Sequence, residues 1–309
     1  FMMFALSMVA ISNSLLTYFA AWLLVGAGGA AILTTSAHTV LVTVLGRSAR
    51  SWIAGLMLIS GLSSSLGYPM TAALESWVGW RDTYLFYALL HGVLCFPLHL
   101  LVCRLVGRER QSDSGNAAAT DSASRRDRIL FLNLAIAISL LGVVTWGFTI
   151  VVVELFVSLR IPHEEAVALA ASIGIFQITA RLMEFLFAGG RSPIRTGLEA
   201  AVLMALGFLV LAVADGWIAG AVFVVFYGLS SGVLNVVRST LPLELFDPSA
   251  YGMMMSRLSL PMLLSFAAAP ILFGGILERY GPDPALALAC VLAGLAFFFL
   301  WNLKRLAHR

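Results

Sequence analysis

Charged residues are scarce in this chain. Only 11% of its 309 residues are Asp, Glu, Lys or Arg, whereas 60% are hydrophobic, and the mean hydropathy is +0.95. An ordinary soluble domain has about 25% charged and about 45–50% apolar residues. The composition therefore excludes a soluble globular protein and indicates a chain whose mass lies almost entirely within a lipid bilayer.

Motifs for metal binding or membrane-embedded catalysis are also missing. The three cysteines, Cys95, Cys103 and Cys290, form no Cys-x-x-Cys pair, and the five histidines are scattered without a His-Glu-x-x-His motif. No Asp falls inside an apolar run of membrane-spanning length. We therefore expect no enzyme, no cofactor and no metal. A lipid-modifying enzyme with an unfamiliar site stays open as an alternative.

Long apolar runs dominate the chain instead. A helix needs roughly 20 residues to cross a hydrocarbon core about 30 Å thick. About ten runs approach that length, which predicts helices near 1–18, 19–43, 52–73, 83–103, 129–155, 166–188, 196–214, 217–237, 259–277 and 284–302. The one long polar stretch, 104–128, predicts a flexible cytoplasmic linker. It separates a partial N-terminal bundle of four spans, 1–103, from a C-terminal bundle of six, 129–309.

The basic residues collect in every second connection between these spans. The rich side carries Arg47, Arg50, Arg104, Arg108, Arg110, Arg125, Arg126, Arg128, Arg191, Arg195, Arg238, Arg257, Lys304, Arg305 and Arg309. The poor side has only Arg81, Arg160 and Arg279. The positive-inside rule makes the rich side cytoplasmic, so we expect a cytoplasmic C-terminus. The net charge of +3 then reports orientation, and no nucleic-acid partner is expected.

Five short motifs occur in a consistent order. They are WLLVGAGGA at 22–30, Arg-x-x-Arg at 47–50, Gly-Trp-Arg at 79–81, GGRSPIR at 189–195 and YGLSSGVLNVVRSTLPLELF at 227–246. The first is similar to the glycine-rich fourth helix of the bacterial major facilitator superfamily (MFS) of transporters. The next two resemble the turns before its fifth and sixth helices. The last two resemble its basic loop between the eighth and ninth helices and its tenth-helix ending.

This resemblance implies an all-α polytopic membrane protein with the MFS fold, lacking its first two helices. The chain starts with Phe1 inside an apolar segment, so we expect a fragment that begins at the family's third helix. The implied function is secondary transport of a small solute by alternating access across the bacterial inner membrane, performed by a monomer in the lipid bilayer. A complete ten-helix carrier of the drug/metabolite type, built from inverted repeats, is the alternative transporter.

Two departures limit the resemblance. Proton-coupled drug antiporters begin the fourth-helix stretch with an arginine, where this chain has Trp22. Their fifth-helix Gly-Pro signature is also absent, since Gly67-Tyr68-Pro69 is a different pattern. Both departures argue against multidrug antiport.

Arg181 is the one basic residue well inside a predicted span. Such an arginine costs about 2.5–3.5 kcal/mol on insertion scales, so it needs a partner or a polar cavity. Gln177 at i−4 and Glu184 at i+3 share its helix face. Two interpretations follow. Either Arg181 and Glu184 form a buried structural pair, or the guanidinium faces a cavity and binds a carboxylate through two parallel hydrogen bonds.

The segment Gln177-Ile-Thr-Ala-Arg181 resembles the Asp-x-x-x-Arg of the eighth helix in monocarboxylate transporters. Oxalate–formate exchangers also use an eighth-helix arginine. The resemblance implies that Arg181 meets the carboxylate of an anionic solute. Gln177 stands where the family has a titratable aspartate, which puts proton coupling at that position in doubt. Glu184 could replace it.

The resemblance also places the family's fourth, seventh and tenth helices along the substrate path. Polar candidates on these helices are Thr34, Thr35, His38, Thr39, Thr145, Trp146, Thr149, Tyr227, Ser230, Ser231 and Asn235. Of these, His38, Trp146 and Asn235 join Arg181, Gln177 and Glu184 as predicted substrate contacts. The alternative for each is hydrogen bonding between helices, worth about 0.6 kcal/mol. Gly228 and Gly232 predict a small-residue face for close helix packing.

Overall fold

The computed structural model describes residues 1–32, 34–110, 125–187 and 191–307. These described residues form helices and contain no strand, which confirms the all-α prediction. The helices are α1 (Met2–Ala10), α2 (Leu15–Ile32), α3 (Thr34–Leu45), α4 (Ala49–Leu90), α5 (Phe96–Arg110), α6 (Arg125–Ser158), α7 (His163–Phe187), α8 (Pro193–Val213), α9 (Trp217–Leu245), α10 (Tyr251–Tyr280) and α11 (Pro282–Ala307). The predicted linker is helical at both ends, where it joins α5 and α6. Its residues 111–124 lie outside the described part.

Eight helical segments of the described chain are long and apolar enough to cross a membrane. About ten were predicted, and the difference lies near the N-terminus. Leu15–Ser63 is a candidate region of 49 residues, more than twice the roughly 20 residues that cross a hydrocarbon core. A hydrocarbon core is only about 30 Å thick. This region, interrupted by a 3₁₀ turn at Gly46–Ser48, therefore corresponds to the two predicted spans 19–43 and 52–73.

The predicted first helix, 1–18, is wrong. α1 ends at Ala10, and α2 begins at Leu15. The break follows from a reciprocal cap, in which the Thr17 N–H donates to the Ser14 hydroxyl at 3.2 Å and the Ser14 N–H donates to the Thr17 hydroxyl at 3.1 Å. A cap of this kind satisfies helix N–H groups that otherwise have no acceptor.

The Gly-Trp-Arg motif forms a break inside α4. Gly79 has φ +79° and ψ 168°, so the helix is interrupted there even though helical turns continue on both sides. Glycine adopts positive φ without the steric cost that a side chain adds. The prediction of a turn at this motif is confirmed, although the candidate span around it, Pro69–Leu105, begins before the motif.

The described chain falls into two compact units. The first contains Phe1–Val44 and Leu62–Ser122, and the second contains Leu45–Gly61 and Ala123–Arg309. The start of α4 thus belongs to the same compact unit as α6 to α11. The predicted division at 104–128 into two bundles stays a prediction.

Aromatic side chains fill the core of the second unit. Phe148 of α6 packs at 4.5 Å between ring centroids against both Phe208 of α8 and Phe273 of α10. Phe223 and Tyr227 of α9 stack at 5.1 Å and continue the cluster. Tyr227 and the four phenylalanines are 1% exposed or less. This rigid core holds α9 in place against its neighbours.

Glycines bring α7 and α9 into direct backbone contact. A Cβ atom added at Gly232 would lie 2.5 Å from the Gln177 carbonyl oxygen and 2.7 Å from its Cα. A Cβ at Gly228 would lie 2.6 Å from the Phe176 Cβ. The predicted small-residue face is confirmed, and it presses the helix carrying Gln177 and Arg181 onto α9.

Candidate functional site

Arg181 lies within α7, six residues before the helix ends at Phe187, a distance of about 9 Å along the axis. Its guanidinium rests against the start of α4, because a methyl group at Gly61 would collide with Nη1 of Arg181. The Nε of Arg181 is buried and, among the described residues, has no hydrogen-bond partner. Gly61 has no side chain and therefore leaves room for the guanidinium. It also carries no negative charge that could balance the arginine.

Glu184 pairs with a different arginine. Its Oε1 is 3.4 Å from Nη2 of Arg50, at the start of α4, and the Glu184 side chain is only 5% exposed. Within the described chain, Arg181 takes part in no ion pair. The interpretation that Glu184 neutralises Arg181 is therefore wrong. Arg50 was expected in a loop, yet it is the second residue of α4, from where its long side chain reaches Glu184.

Gln177 connects α7 to α9. Its Nε2 donates to the Ser231 hydroxyl at 3.0 Å. One turn further along α9, the Asn235 Nδ2 donates to the Ser231 carbonyl at 3.0 Å. Gln177, Ser231 and Asn235 thus form a polar strip along the contact between the two helices, beginning one turn before Arg181.

A small cavity opens beside this strip. Its volume is about 30 Å³, room for roughly one water molecule. Polar atoms come from Thr145, Ser231, Asn235 and Arg238, and the rest of the wall is apolar and includes the ring of Phe266. Such a cavity is too small for an organic molecule.

The prediction from the sequence placed Arg238 wrongly. The span was expected to end at 237, which put Arg238 in a cytoplasmic loop, but α9 continues to Leu245. Arg238 therefore lies seven residues inside the helix. The apolar residues that follow it, such as Leu241 and Leu243, were the signal for this longer span, since an internal proline such as Pro242 is tolerated in membrane helices.

The guanidinium of Arg238 lies 5.6 Å from the centre of the Phe266 ring. A cation–π contact of this kind contributes about 0.5–2 kcal/mol. In the part of the chain that the structure describes, Arg238 forms no ion pair with an acidic residue.

Trp146 belongs to the same neighbourhood. Its ring stacks on Phe266 with 5.0 Å between centroids and an interplanar angle of 28°, and it is 45% exposed. Phe266 thus has Trp146 and Arg238 as neighbours. His38, another predicted contact, is a buried residue of α3 in the first compact unit.

Several of the candidate hydroxyl groups donate to backbone carbonyls. The Thr145 hydroxyl donates to the Leu141 carbonyl at 2.6 Å, and the Thr149 hydroxyl donates to the Thr145 carbonyl at 2.7 Å. The Tyr227 hydroxyl also donates to the Thr145 carbonyl, at 2.7 Å. These bonds within and between helices satisfy the hydroxyl donors, as the packing interpretation expects.

A second charged contact lies in the turn between α9 and α10. Hydrogen bonds from the hydroxyl and the backbone N–H of Ser249 hold the pKa of Asp247 below its usual value, and the positive charge of Arg47 acts in the same direction. This turn, Pro248–Ala250, packs against the turn Gly46–Ser48 that precedes α4. Arg47 and Arg50 thus both face acidic groups of the second unit.

The solved structures that match this chain show its fold, which is that of the MFS transporters. The human organic anion transporter MFSD10 (TETRAN) has a TM-score of 0.77 and 17% identity, covering 97% of this chain and 74% of that chain. The MFS proton:xylose symporter XylE has a TM-score of 0.72 and 12% identity, covering 97% and 78%. The E. coli fucose:proton symporter FucP has a TM-score of 0.62 and 14% identity, covering 98% and 82%.

These similarities confirm the predicted fold and a multi-pass membrane protein. The three structures are of transporters and not of enzymes. No protein-family model matches the chain, and no curated protein matches it by sequence.

Proposed function

We propose that this protein is a secondary transporter of a small organic anion of the carboxylate type, and that Arg181 binds the anion. The observation that carries this proposal is the guanidinium of Arg181. It lies inside a span without an acidic partner in the described chain, because Glu184 is paired with Arg50. An arginine inside a membrane span without an acidic partner is costly and usually functional.

The missing counter-charge of Arg181 favours binding of an anion that occupies the site for only part of the transport cycle. A carboxylate that reaches Arg181 supplies the missing negative charge and accepts two parallel N–H bonds. The gain is large inside the protein because the local dielectric is low. The polar strip of Gln177, Ser231 and Asn235 lies next to this position and can orient the polar part of the solute, while Trp146 covers an apolar part.

The fold supports transport over the alternatives. The matching structures include an organic anion transporter and two proton symporters. A lipid-modifying enzyme gains no support from them, and the described residues contain no cluster of metal-ligating side chains. A ten-helix carrier built from five-plus-five repeats predicts a different fold from the one observed.

We further propose that the side rich in basic residues faces the cytoplasm of a bacterial cell and that the protein is a monomer. The basic residues near the end of α11, Lys304 and Arg305, support this orientation. Alkaline phosphatase fused after Ala307 should therefore stay inactive, whereas activity of that fusion would overturn the orientation.

Ligand binding by the purified protein tests the function. Propionate should raise the melting temperature and propionamide should not, because only propionate carries a negative charge that can pair with Arg181. Arg181→Ala should weaken propionate binding roughly tenfold or more, the loss of at least one hydrogen bond to a charged group.

Arg257→Ala is the matched control, since Arg257 of α10 is exposed and outside the site. It should bind propionate as the unchanged protein does. A folded Arg181→Ala protein with unchanged propionate affinity would show that the site assignment is wrong. Uptake of labelled propionate by vesicles then separates transport from binding.

A further inference from the structure

We propose that the second compact unit binds one molecule of an anionic phospholipid. An acyl chain lies in an apolar groove between α7 and α8, and the headgroup phosphate lies in a charged pocket at the end of that groove. This proposal goes beyond the transport function and does not depend on the binding of an anion by Arg181. All residues that line the two cavities belong to the second unit.

The α7–α8 groove is a cavity of about 610 Å³, which lies within the range of about 300–1,000 Å³ for small-molecule sites. Its apolar walls include Ala180, Met183, Phe187, Leu203, Leu229 and Val233. Both α7 and α8 pack along α9, which forms the wall between them. From Phe187, the last residue of α7, to Ala180 the groove extends about 10 Å along the helix. It therefore runs from the helix end into the membrane span.

The groove is suited to an acyl chain. Met183 and Phe187 on its α7 side are 55% and 65% exposed, and exposed apolar side chains of this kind mark a surface that contacts lipid. Glu184 also lines the groove, but its carboxylate is only 5% exposed and is paired with Arg50. The one charged side chain in the inner part of the groove is thus already neutralised.

A second cavity, of about 340 Å³, adjoins the groove. This headgroup pocket is lined by Arg191, Arg195, Thr196, Glu199, Glu244 and Lys304. Arg191, Thr196 and Glu199 also line the groove, so the two cavities meet at these three residues. Together they present an apolar space and a charged space side by side, which is the arrangement that an amphiphilic molecule requires.

The acidic residues of the headgroup pocket already have partners. Glu244 accepts hydrogen bonds from the Ser192 hydroxyl at 2.7 Å and from the Ile194 N–H at 3.3 Å. It therefore caps the N-terminus of α8 itself. Glu199 is 3.5 Å from Arg191, and both side chains are more than half exposed. An exposed ion pair of this kind contributes little stability, so Arg191 can turn towards a phosphate at low cost.

Two basic residues of the pocket have no acidic partner. Within the described chain, neither Arg195 of α8 nor Lys304 of α11 forms an ion pair. The pocket has three basic and two acidic side chains in its walls, so its formal charge is +1. One phosphodiester group, which carries a single negative charge, balances this excess. Basic pockets between membrane helices bind anionic lipid headgroups in this way.

A phospholipid fits this arrangement better than a water-soluble phosphate ester. Both ligands supply a negative charge to the headgroup pocket, but only the phospholipid also fills the apolar groove beside it. Phosphatidylglycerol is the simplest lipid that meets both conditions, because it has one phosphodiester charge and no ammonium group.

Native mass spectrometry of the full chain in an uncharged detergent tests the proposal. The probes are phosphatidylglycerol and phosphatidylcholine with the same acyl chains, and glycerol 3-phosphate. The dissociation constant of the first bound molecule is measured for each. Phosphatidylglycerol should bind roughly tenfold or more tightly than phosphatidylcholine, since each basic residue near an anionic lipid contributes roughly fivefold. Glycerol 3-phosphate should bind more weakly than phosphatidylglycerol because it has no acyl chain.

The double variant Arg195→Gln/Lys304→Gln should remove the preference for phosphatidylglycerol. Its matched control is Arg257→Gln/Arg305→Gln, which removes two exposed basic residues outside both cavities. Arg305 is next to Lys304 at the same helix end, so the control changes the surface charge in a similar way. The control should keep the preference. An equal loss in the two double variants would mean that general surface charge determines binding, and the site would be wrong.

The groove is tested by filling it. Val233→Trp places a large ring between α7 and α8 and should weaken phosphatidylglycerol binding roughly tenfold. Val202→Trp is the matched control, because Val202 is 41% exposed and outside both cavities. If Val233→Trp does not fold, Leu203→Trp fills the groove from α8 instead. Unchanged phosphatidylglycerol affinity in a folded groove variant would show that the acyl chain lies elsewhere.

Three further results would overturn the proposal. The first is equal affinity for phosphatidylglycerol and phosphatidylcholine in the unchanged protein. The second is a preference that persists in Arg195→Gln/Lys304→Gln. The third is glycerol 3-phosphate that binds as tightly as phosphatidylglycerol, which would assign the pocket to a soluble phosphate ester. None of these results bears on the proposed function, because that function is measured by propionate binding at Arg181.

Discussion

Arg181→Lys is expected to lose most of the anion binding although the positive charge is kept. A guanidinium presents two parallel N–H groups in a plane, whereas an ammonium group is a compact point charge that cannot form the same fork. Hydrogen bonds to charged groups contribute about 1.5–3 kcal/mol each, so the loss of one corresponds to roughly 10- to 150-fold in affinity. The measurement is the dissociation constant for propionate.

The position of Arg181 strengthens this expectation. Its guanidinium is held against the α4 backbone at Gly61, where a shorter, differently shaped head group would not reach the same place. Equal propionate affinity in Arg181→Lys and the unchanged protein would mean that a simple positive charge suffices and that no bidentate contact exists.

Glu184→Gln provides the counterpart experiment. It breaks the ion pair with Arg50 and should lower thermal stability, because a partly buried arginine loses its partner. It should leave propionate affinity close to that of the unchanged protein. A large gain in affinity would instead indicate that Glu184 competes with the anion for Arg181.

Gly232→Val is expected to prevent folding of the second compact unit or to lower its stability severely. The first atom of the new side chain would lie 2.5 Å from the Gln177 carbonyl oxygen and 2.7 Å from its Cα. Both are backbone atoms, so α7 and α9 must separate to make room. Overpacking costs about 1–3 kcal/mol and occasionally more. Size-exclusion chromatography and the melting temperature in detergent measure the effect.

Gly275→Val is the matched control for this substitution. Gly275 also lies in a long apolar helix, α10, but a Cβ atom there meets nothing within 4 Å. We expect a monodisperse protein with nearly unchanged stability. Equal melting temperatures for Gly232→Val and Gly275→Val would show that the close approach of α7 and α9 does not contribute to folding.

The sequence was sufficient for those features of the fold that depend on composition and local sequence. Apolar length predicted membrane helices, Gly79 predicted a break, and the spacing of Gly228 and Gly232 predicted a close helix contact. The boundary near Ser14 was missed because a four-residue reciprocal cap overrides a continuous apolar run. Hydrophobicity alone does not contain this information.

The candidate site was less predictable because its charged residues pair with residues that are far away in the sequence. Arg181 was identifiable as an arginine in an apolar run, and Gln177 as its neighbour on the same helix face. The partner of Glu184 was not, because Arg50 lies in another helix. Arg238 was missed since it occurs near the end of an apolar run, where a basic residue usually marks a loop. The apolar residues after it indicate a longer span, and the structure shows that α9 continues to Leu245.

The pair between Arg50 and Glu184 has a consequence for biosynthesis. The two residues are 134 positions apart in the chain. At a synthesis rate of about 5–20 residues per second, the ribosome adds Glu184 roughly 7–27 s after Arg50. Throughout that interval, the N-terminal end of α4 must keep its arginine solvated at the membrane surface or paired with a lipid phosphate. The start of α4 is therefore synthesised before the negative charge that pairs with Arg50 exists, and the ion pair forms only after α7 has been made.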